Sequence, residues 1–192
     1  MSDTSARRTN DWPFRPPCLS IDLEVGLRSG RIRQLAAVRG DSGERLHCRG
    51  GDLAAALARL DELAEGCRFV LGHNLLAFDR PHLAAVAPRL RLLGLPVVDT
   101  LWLNPLAFPR HPYHHLVKHY QDGGLRRSQR NDPLLDAQLT LELLDDQVVA
   151  LRQRQCDEPE LMLAWHWLTT RAQRSAAVDG LFAMLQIGRA HV

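Results

Sequence analysis

The sequence predicts an α/β domain with a mixed sheet flanked by helices and a helical extension at its carboxyl end. Two observations lead to this fold class. Three short, mostly apolar segments separated by glycine-containing turns come first, as expected for antiparallel strands. Helices and strands then alternate before the chain becomes helical, a pattern typical of α/β domains. The 192 residues, of which 45% are hydrophobic, suffice for one domain with a full core.

The first half of the chain carries most of the strand signals. Strands are predicted over 18–25, 31–39, 44–48 and 68–72, with a helix over 53–64 before the last of them. Asp52 precedes that helix and is expected to cap it, because a carboxylate accepts hydrogen bonds from N–H groups of the first turn. Gly66 is expected to end the helix, since glycine adopts the left-handed conformation at little cost.

The second half is predicted to be mainly helical. Helices are predicted over 80–90, 113–120, 133–154, 158–170 and 175–185, with one further strand over 95–99. Asp79 opens the first of these helices, and Pro81 is tolerated near its start. No apolar segment is long enough to span a bilayer, and the first residues lack the layout of a signal peptide.

The chain is predicted to divide into four parts. Residues 1–17 are polar and rich in proline and arginine, which predicts a disordered lead-in. The main domain covers 18–154, and 155–186 form the helical extension. Residues 187–192 match the translation of a common sequencing-adapter sequence, so we expect the natural chain to continue past Gln186. The four cysteines are widely spaced without a pairing pattern, so we expect reduced thiols in a cytoplasmic protein.

Four acidic residues in three short motifs are the most informative feature of the chain. Asp22 and Glu24 lie two residues apart on the first predicted strand, so both side chains reach one face of the sheet. Asp79 ends the segment H-N-L-L-A-F-D, and Asp136 lies in the first turn of the long helix. Carboxylates in apolar segments are costly unless a positive group meets them. Their oxygens suit a pair of hard divalent cations, which cleave phosphodiesters.

Each carboxylate also has a simpler explanation when it is taken alone. Asp22 and Glu24 would line the solvent face of an edge strand. Asp79 would be a helix N-cap, and Asp136 would compensate a helix dipole. In that case the protein is a general α/β domain whose acids are caps and surface residues. The occurrence of all three motifs in this order on one α/β chain favours the metal site.

The motifs resemble those of the DEDD superfamily of 3′–5′ exonucleases, which have a ribonuclease-H-like fold. The first family motif is D-x-E on the first strand, the second is similar to H-N-x-x-x-F-D, and the third ends in an aspartate. The matching residues are Asp22, Glu24, His73, Asn74, Phe78, Asp79 and Asp136. Val98-Asp99-Thr100 resembles the strand end that follows the second motif. The resemblance covers roughly 19–151.

The resemblance implies a nuclease that depends on two Mg²⁺ or Mn²⁺ ions. Asp22, Glu24 and Asp136 would share one ion, and Asp22 would be the main ligand of the other. Phe78 and Leu23 would help to position the terminal nucleotides. His73 and Asn74 of the second motif would also lie at the nucleic acid. The expected substrate is single-stranded nucleic acid, with DNA favoured.

The chain departs from the family at the general base. One subgroup has a histidine five residues before the last aspartate, and another has a tyrosine four residues before it. Asn131 and Asp132 occupy these positions. Because asparagine accepts no proton at neutral pH, it cannot be the base. Either a nearby residue substitutes, with the histidines of the segment 111–120 (among them His114, His115 and His119) as candidates, or a hydroxide activated by the metal suffices at a lower rate, or the domain is not catalytic. The alternative function is therefore a nuclease-derived domain that binds strands with little or no cleavage.

A basic segment precedes the third motif. Its residues are Tyr113, His114, His115, Lys118, His119, Tyr120, Arg126, Arg127 and Arg130. Lys118, His119 and Arg127 are expected to contact phosphates, and the tyrosines to stack on bases. Two alternatives stay open: zinc bound by a histidine pair at helical spacing, and a surface helix with incidental histidines.

The segment 113–120 and the third motif also resemble an exonuclease-like module that precedes RecQ-type DNA helicases in bacteria. This resemblance implies a helicase region elsewhere in the full-length chain and a role in DNA repair. The chain contains no G-x-x-x-x-G-K-[ST] motif, so we expect no ATPase activity from this segment itself.

Overall fold

The computed structural model describes residues 16–111, 114, 116 and 132–171. It is an α/β fold with one five-stranded mixed sheet flanked by helices. The strands are β1 (Cys18–Val25), β2 (Ile32–Arg39), β3 (Arg45–Arg49), β4 (Phe69–Gly72) and β5 (Val97–Asp99). The helices are α1 (Leu53–Leu63), α2 (Asp79–Val86), α3 (Thr100–Ala107), α4 (Pro133–Asp157) and α5 (Pro159–Arg171), with a short 3₁₀ helix at Arg91–Gly94. Within the described residues, no helix is long and apolar enough to cross a membrane.

The sheet has β1 at its centre, in the order β3-β2-β1-β4-β5. β1 and β2 are antiparallel, as are β2 and β3, whereas β4 is parallel to both β1 and β5. The parallel pairs occur where helices connect the strands, as the longer crossover requires. β1 is therefore a central strand and not an edge strand, although its pairing with β4 covers only Cys18 to Ser20 and stops before Asp22 and Glu24.

Helices cover both faces of the sheet. α1, α2 and the 3₁₀ helix pack on the face that carries Leu19 and Ile21. α3, α4 and α5 pack on the opposite face, which carries Phe69 and Leu71. The domain therefore has two hydrophobic cores, one on each side of the sheet.

α3 is an element that the sequence analysis does not predict. Pro105 lies inside it and removes one backbone donor, which ordinarily argues against a helix. The carboxylate of Asp99 caps the helix by accepting the N–H of Leu101 at 3.1 Å. Leu103 and Ala107 are buried in the core shared with α4. Burial of this face stabilises a helix that local propensity disfavours.

α2 is shorter than predicted and ends at Val86 instead of residue 90. Pro88 explains the difference, because the residue before a proline is disfavoured in the helical conformation. Ala87 accordingly has φ −147° and ψ 70°. The chain then forms the 3₁₀ helix before β5 begins at Val97.

α1 and α4 agree closely with the prediction. Asp52 caps α1 by accepting the N–H groups of Ala54 and Ala55 at 2.9 and 3.1 Å. α4 begins at Pro133, as predicted, and continues to Asp157. Of the helix predicted over 113–120, only His114 and Leu116 are described, and neither is helical. The predicted helix over 175–185, the last six residues and most of the lead-in lie outside the described residues.

Candidate active site

The two carboxylates of the first motif lie on the face of β1 that α4 covers. Ser20 on the same strand donates its hydroxyl hydrogen to the carbonyl oxygen of Ala137 in α4, at 2.8 Å. Asp22 and Glu24 follow Ser20 at alternate positions, and the strand stays in regular register with β2 through Glu24. Leu23 points to the opposite core. The predicted side-chain parity of this strand is confirmed.

Asp79 lies beside the same strand. Its carboxylate accepts the backbone N–H of Leu23 at 3.0 Å, and only 2% of the residue is exposed. Phe78, not Asp79, is the N-cap residue of α2, and no side chain caps that end. The alternative that Asp79 is an N-cap is therefore wrong, and its hydrogen bond joins the second motif to the first.

The surroundings of Asp79 disfavour its negative charge. Burial is the main cause that raises the pKa of this carboxyl well above its usual range, and the negative charge of Asp22 raises it further. The N–H of Leu23 opposes the shift. Asp22 and Asp79 are thus close enough to repel each other, which is the condition that a bound cation relieves.

Asp136 lies in the first turn of α4 and is 8% exposed. Contacts on either side of it locate this turn over the sheet. Asp132 pairs with Arg49 at 3.5 Å, in the row of the sheet that contains Glu24. Ala137 contacts Ser20, in the row two residues before Asp22. Asp136 directly precedes Ala137, so it belongs to the turn of α4 that contacts β1.

The acidic residues come together without forming a ready-made metal site. Among the residues that the structure describes, no three histidine, cysteine or acidic side chains are grouped closely enough to hold an ion. Asp22, Glu24, Asp79 and Asp136 offer only oxygen donors, the ligands that Mg²⁺ and Mn²⁺ prefer.

Asp99 is a buried carboxylate whose role the sequence analysis misses. It accepts the N–H groups of Asn74, Leu76 and Leu101 at 2.9, 3.0 and 3.1 Å. Burial raises its pKa, and the backbone N–H groups, led by that of Leu76, oppose the shift. These hydrogen bonds therefore fix the conformation of the loop between β4 and α2, which leads to Asp79. An aspartate at the end of a buried strand is the sequence signal for such a role.

His73 and Asn74 take part in the same loop architecture. The Thr100 hydroxyl donates to the carbonyl oxygen of Gly72 at 3.1 Å, and His73 Nδ1 lies 2.9 Å from that hydroxyl oxygen. Since the hydroxyl has a single hydrogen, His73 Nδ1 is the donor of this second bond. Asn74 has φ 71°, a conformation that asparagine tolerates better than most residues. Both residues shape the turn between β4 and α2.

The resemblance implies that Phe78 and Leu23 position nucleotides. The two residues have different surroundings. Phe78 is 37% exposed, and its ring lies 4.8 Å from that of His82, so one side of it faces solvent. Leu23 is 4% exposed and packs in the α1-side core. Its side chain therefore cannot reach a nucleotide here, and its contribution is the N–H that holds Asp79.

Asp132, which occupies the tyrosine position of the family, is the N-cap of α4. It accepts the N–H of Leu134 at 3.2 Å besides its ion pair with Arg49. These contacts give Asp132 a structural role at the helix end. Four other residues of interest lie outside the described residues: Asn131, Lys118, His119 and Arg127.

His114, one of the histidines proposed as a substitute base, is tied to a different part of α4. Its carbonyl oxygen accepts a hydrogen bond from Asn104 Nδ2 at 3.0 Å, and Asn104 Oδ1 accepts one from Gln147 Nε2 at 2.6 Å. Gln147 follows Asp136 by about 16 Å along the helix. The backbone of His114 is thus held near the middle of α4 and not beside Asp136.

Comparisons with protein-family models, with curated proteins and with solved structures gave no match to this chain.

Proposed function

We propose that this domain is a 3′–5′ exonuclease that depends on two Mg²⁺ or Mn²⁺ ions and acts on single-stranded nucleic acid, with DNA favoured. The observation that carries the proposal is the hydrogen bond from Leu23 N–H to Asp79. It joins the second motif to the strand that carries Asp22 and Glu24. The contact of Ser20 with Ala137 brings the third motif to the same face.

The fold is compatible with the family that the motifs resemble. A mixed sheet whose first three strands are antiparallel and whose last two are parallel to the first strand suits a ribonuclease-H-like domain. The acidic residues lie at the carboxyl end of the central parallel strands, where α/β proteins commonly bind ligands. We also propose that the domain is a module of a larger DNA repair or helicase protein.

Each residue of the site would have a distinct role in binding or catalysis. Asp22, Glu24 and Asp136 would hold the ions, which supply activation of water and stabilisation of the leaving 3′ oxygen. Asp79, which accepts the Leu23 N–H, would add negative charge next to these three metal ligands. Asp99 would keep the loop of the second motif in place, and Phe78 would stack on a terminal base.

A domain that binds strands without cleaving them is the second candidate. Asn131 cannot act as a base, and Asp132, one position further, is engaged as a helix cap and in an ion pair with Arg49. Neither residue at the family's base positions is therefore suited to deprotonate water. The two candidates share the same strand-binding surface and differ only in turnover.

The test is a cleavage assay with single-stranded DNA and RNA carrying a 5′ label. The purified domain is incubated with Mn²⁺, with Mg²⁺ and with EDTA, beside Asp22→Asn and Asp136→Asn. An exonuclease shortens the strand stepwise from its 3′ end with either metal. EDTA or either substitution should stop the reaction.

Two other outcomes would decide against the first candidate. Binding of the strand without shortening, in wild type and with both metals, supports the binding domain. Neither binding nor shortening, in a folded protein, rejects both candidates. Shortening that continues in Asp22→Asn would point to a contaminating nuclease.

A further inference from the structure

β3 carries three basic side chains on one face of the sheet. Arg45, His47 and Arg49 alternate with Leu46 and Cys48, and the latter two pack against the α1-side core. The three basic side chains therefore point to the opposite face, the one that carries Asp22 and Glu24. Burial and the neighbouring Arg49 lower the pKa of His47, and His47 Nε2 accepts a hydrogen bond from Arg49 Nε at 2.9 Å, so the positive charge resides on the two arginines. We call these three residues the basic row.

The strand register aligns two members of the basic row with the acidic residues of β1, whereas Arg45 lies in the row of Val38 and Ser20. Across β2, Arg49 lies in the row of Gln34 and Glu24, and His47 lies in the row of Ala36 and Asp22. β3 and β1 are two strand spacings apart, about 10 Å. Ala36 is fully buried, so the middle row is covered. In the row of Glu24, Gln34 and Arg49, near the end of β1, Glu24 and Gln34 are partly exposed and the Arg49 side chain is 61% exposed.

From this alignment we infer that the basic row binds the phosphates of a single strand whose 3′ end lies at the β1 carboxylates. The inference rests on the proposed function and deepens it. The carboxylates alone would repel a polyanion, whereas the guanidinium group of Arg49, on a strand about 10 Å from β1, attracts the nucleotides that precede the terminal one. Arg45 lies further along the same edge strand and extends this attraction. A few nucleotides of single strand cover such a distance.

The same arginines also contact α4, which offers a competing structural explanation. Arg49 pairs with Asp132, and Gln138, with its amide oxygen turned toward β3, accepts from Arg45 at 2.9 and 3.0 Å. Both contacts are at the exposed edge of the sheet, where ion pairs contribute little to stability. Asp132 therefore competes with a phosphate for Arg49, and this competition can be tested directly.

The first experiment measures binding of a labelled oligothymidylate of about 16 nucleotides by fluorescence anisotropy, in EDTA and over a range of salt. Arg45→Gln and Arg49→Gln should each weaken binding several-fold. In the double variant the slope of log affinity against log salt should fall by about 1.4, since each single-strand phosphate contact contributes about 0.7. The matched control is Arg89→Gln, an exposed arginine after α2 on the α1 side. It should change neither quantity.

The second experiment removes the competitor. Asp132→Asn keeps a good N-cap for α4 and deletes the negative charge beside Arg49. It should tighten oligothymidylate binding, and that gain should vanish when Arg49→Gln is added. A gain in affinity cannot result from a folding defect, so this variant tests the inference even where the double glutamine variant fails to fold.

Two results would overturn the inference. One is a folded double variant that binds with the affinity and salt slope of wild type. The other is an Asp132→Asn variant that binds no more tightly than wild type. Because these measurements are made in EDTA, they do not depend on cleavage. Strand binding through the basic row without any cleavage would reject the proposed exonuclease alone. Cleavage with unchanged binding in the double variant would reject the basic row alone.

Discussion

At the scale of single residues, two buried aspartates of similar appearance have opposite roles. Asp79 accepts one backbone hydrogen bond and faces the negative charge of Asp22. Asp99 accepts three backbone hydrogen bonds that hold the loop between β4 and α2. The negative charge of Asp79 therefore destabilises the folded protein when no cation is bound. Asp99, in contrast, stabilises the loop between β4 and α2. Amide substitutions separate the two cases because asparagine has one oxygen acceptor and no charge.

Asp79→Asn should raise the melting temperature at neutral pH without divalent cations. The amide oxygen can still accept the Leu23 N–H, while the repulsion by Asp22 is lost. Since the folded pKa of Asp79 is raised, the folded state binds more protons than the unfolded state above the ordinary pKa, and stability falls as pH rises through this window. The gain should therefore shrink as the pH is lowered. The exposed Asp146→Asn is the control, and a lower melting temperature at neutral pH would contradict the prediction.

Asp99→Asn should destabilise the domain by about 1–3 kcal/mol, because the amide nitrogen would face a backbone N–H that loses its acceptor. Urea denaturation gives the loss, and amide hydrogen exchange should show faster exchange at Leu76. Asp79→Asn serves as the matched comparison, since its amide oxygen can still accept the Leu23 N–H, the backbone donor of Asp79. Equal effects of the two substitutions would mean that the loop does not depend on Asp99.

At the scale of elements, docking of α4 on β1 decides whether the third motif reaches the first two. The docking rests on apolar contacts of Leu141 and Leu144 in the shared core and on the hydrogen bond from Ser20 to Ala137. Ser20, the donor of this hydrogen bond, is fully buried. The polar chain from Gln147 to Asn104 holds the middle of the same helix to α3.

Ser20→Ala should cost about 1 kcal/mol of stability, because the Ala137 carbonyl loses a buried donor. In an active enzyme it should also lower turnover more than strand affinity, since it loosens the helix that carries Asp136. Denaturation and steady-state kinetics measure the two effects. The exposed Ser42→Ala is the control. Unchanged turnover in a destabilised variant would show that Asp136 does not depend on this hydrogen bond.

At the scale of the whole molecule, the acidic residues of the three motifs come from distant segments of the chain. Asp22 and Glu24 come from the centre of the sheet, Asp79 from the loop after β4, and Asp136 from α4. Arg49 of β3 lies in the same row of the sheet as Glu24. Such an arrangement suits a polyanionic strand that is bound through cations at its terminus and through arginines further along.

Mn²⁺ should raise the melting temperature of the domain, because a divalent cation relieves repulsion among the carboxylates and binds the folded state preferentially. Asp22→Asn should abolish most of this gain. Thermal unfolding with Mn²⁺, with Mg²⁺ and with EDTA provides the measurement, with Asp146→Asn as control. A melting temperature that saturating Mn²⁺ leaves unchanged would count against a metal site.

Asn131→His should increase cleavage if residue 131 occupies the base position that the motif spacing implies. A histidine in reach of the attacking water is worth about 10²–10⁴-fold in rate. Strand binding should stay similar, which separates a chemical gain from a binding gain. Should wild type cleave rapidly and the variant not improve on it, the base lies elsewhere, and His115 and His119 become the next residues to substitute.

The sequence alone determined the local elements and the faces of the strands. Alternation on β1 placed Asp22 and Glu24 together, and Asp52 and Pro133 marked two helix starts, because these signals depend on near neighbours in the chain. Only the tertiary structure decided that α3 forms despite Pro105, that Asp99 supports the second motif, and that two members of the basic row align with the acidic residues. Each of these depends on burial or on strand register between distant segments, which no local pattern contains.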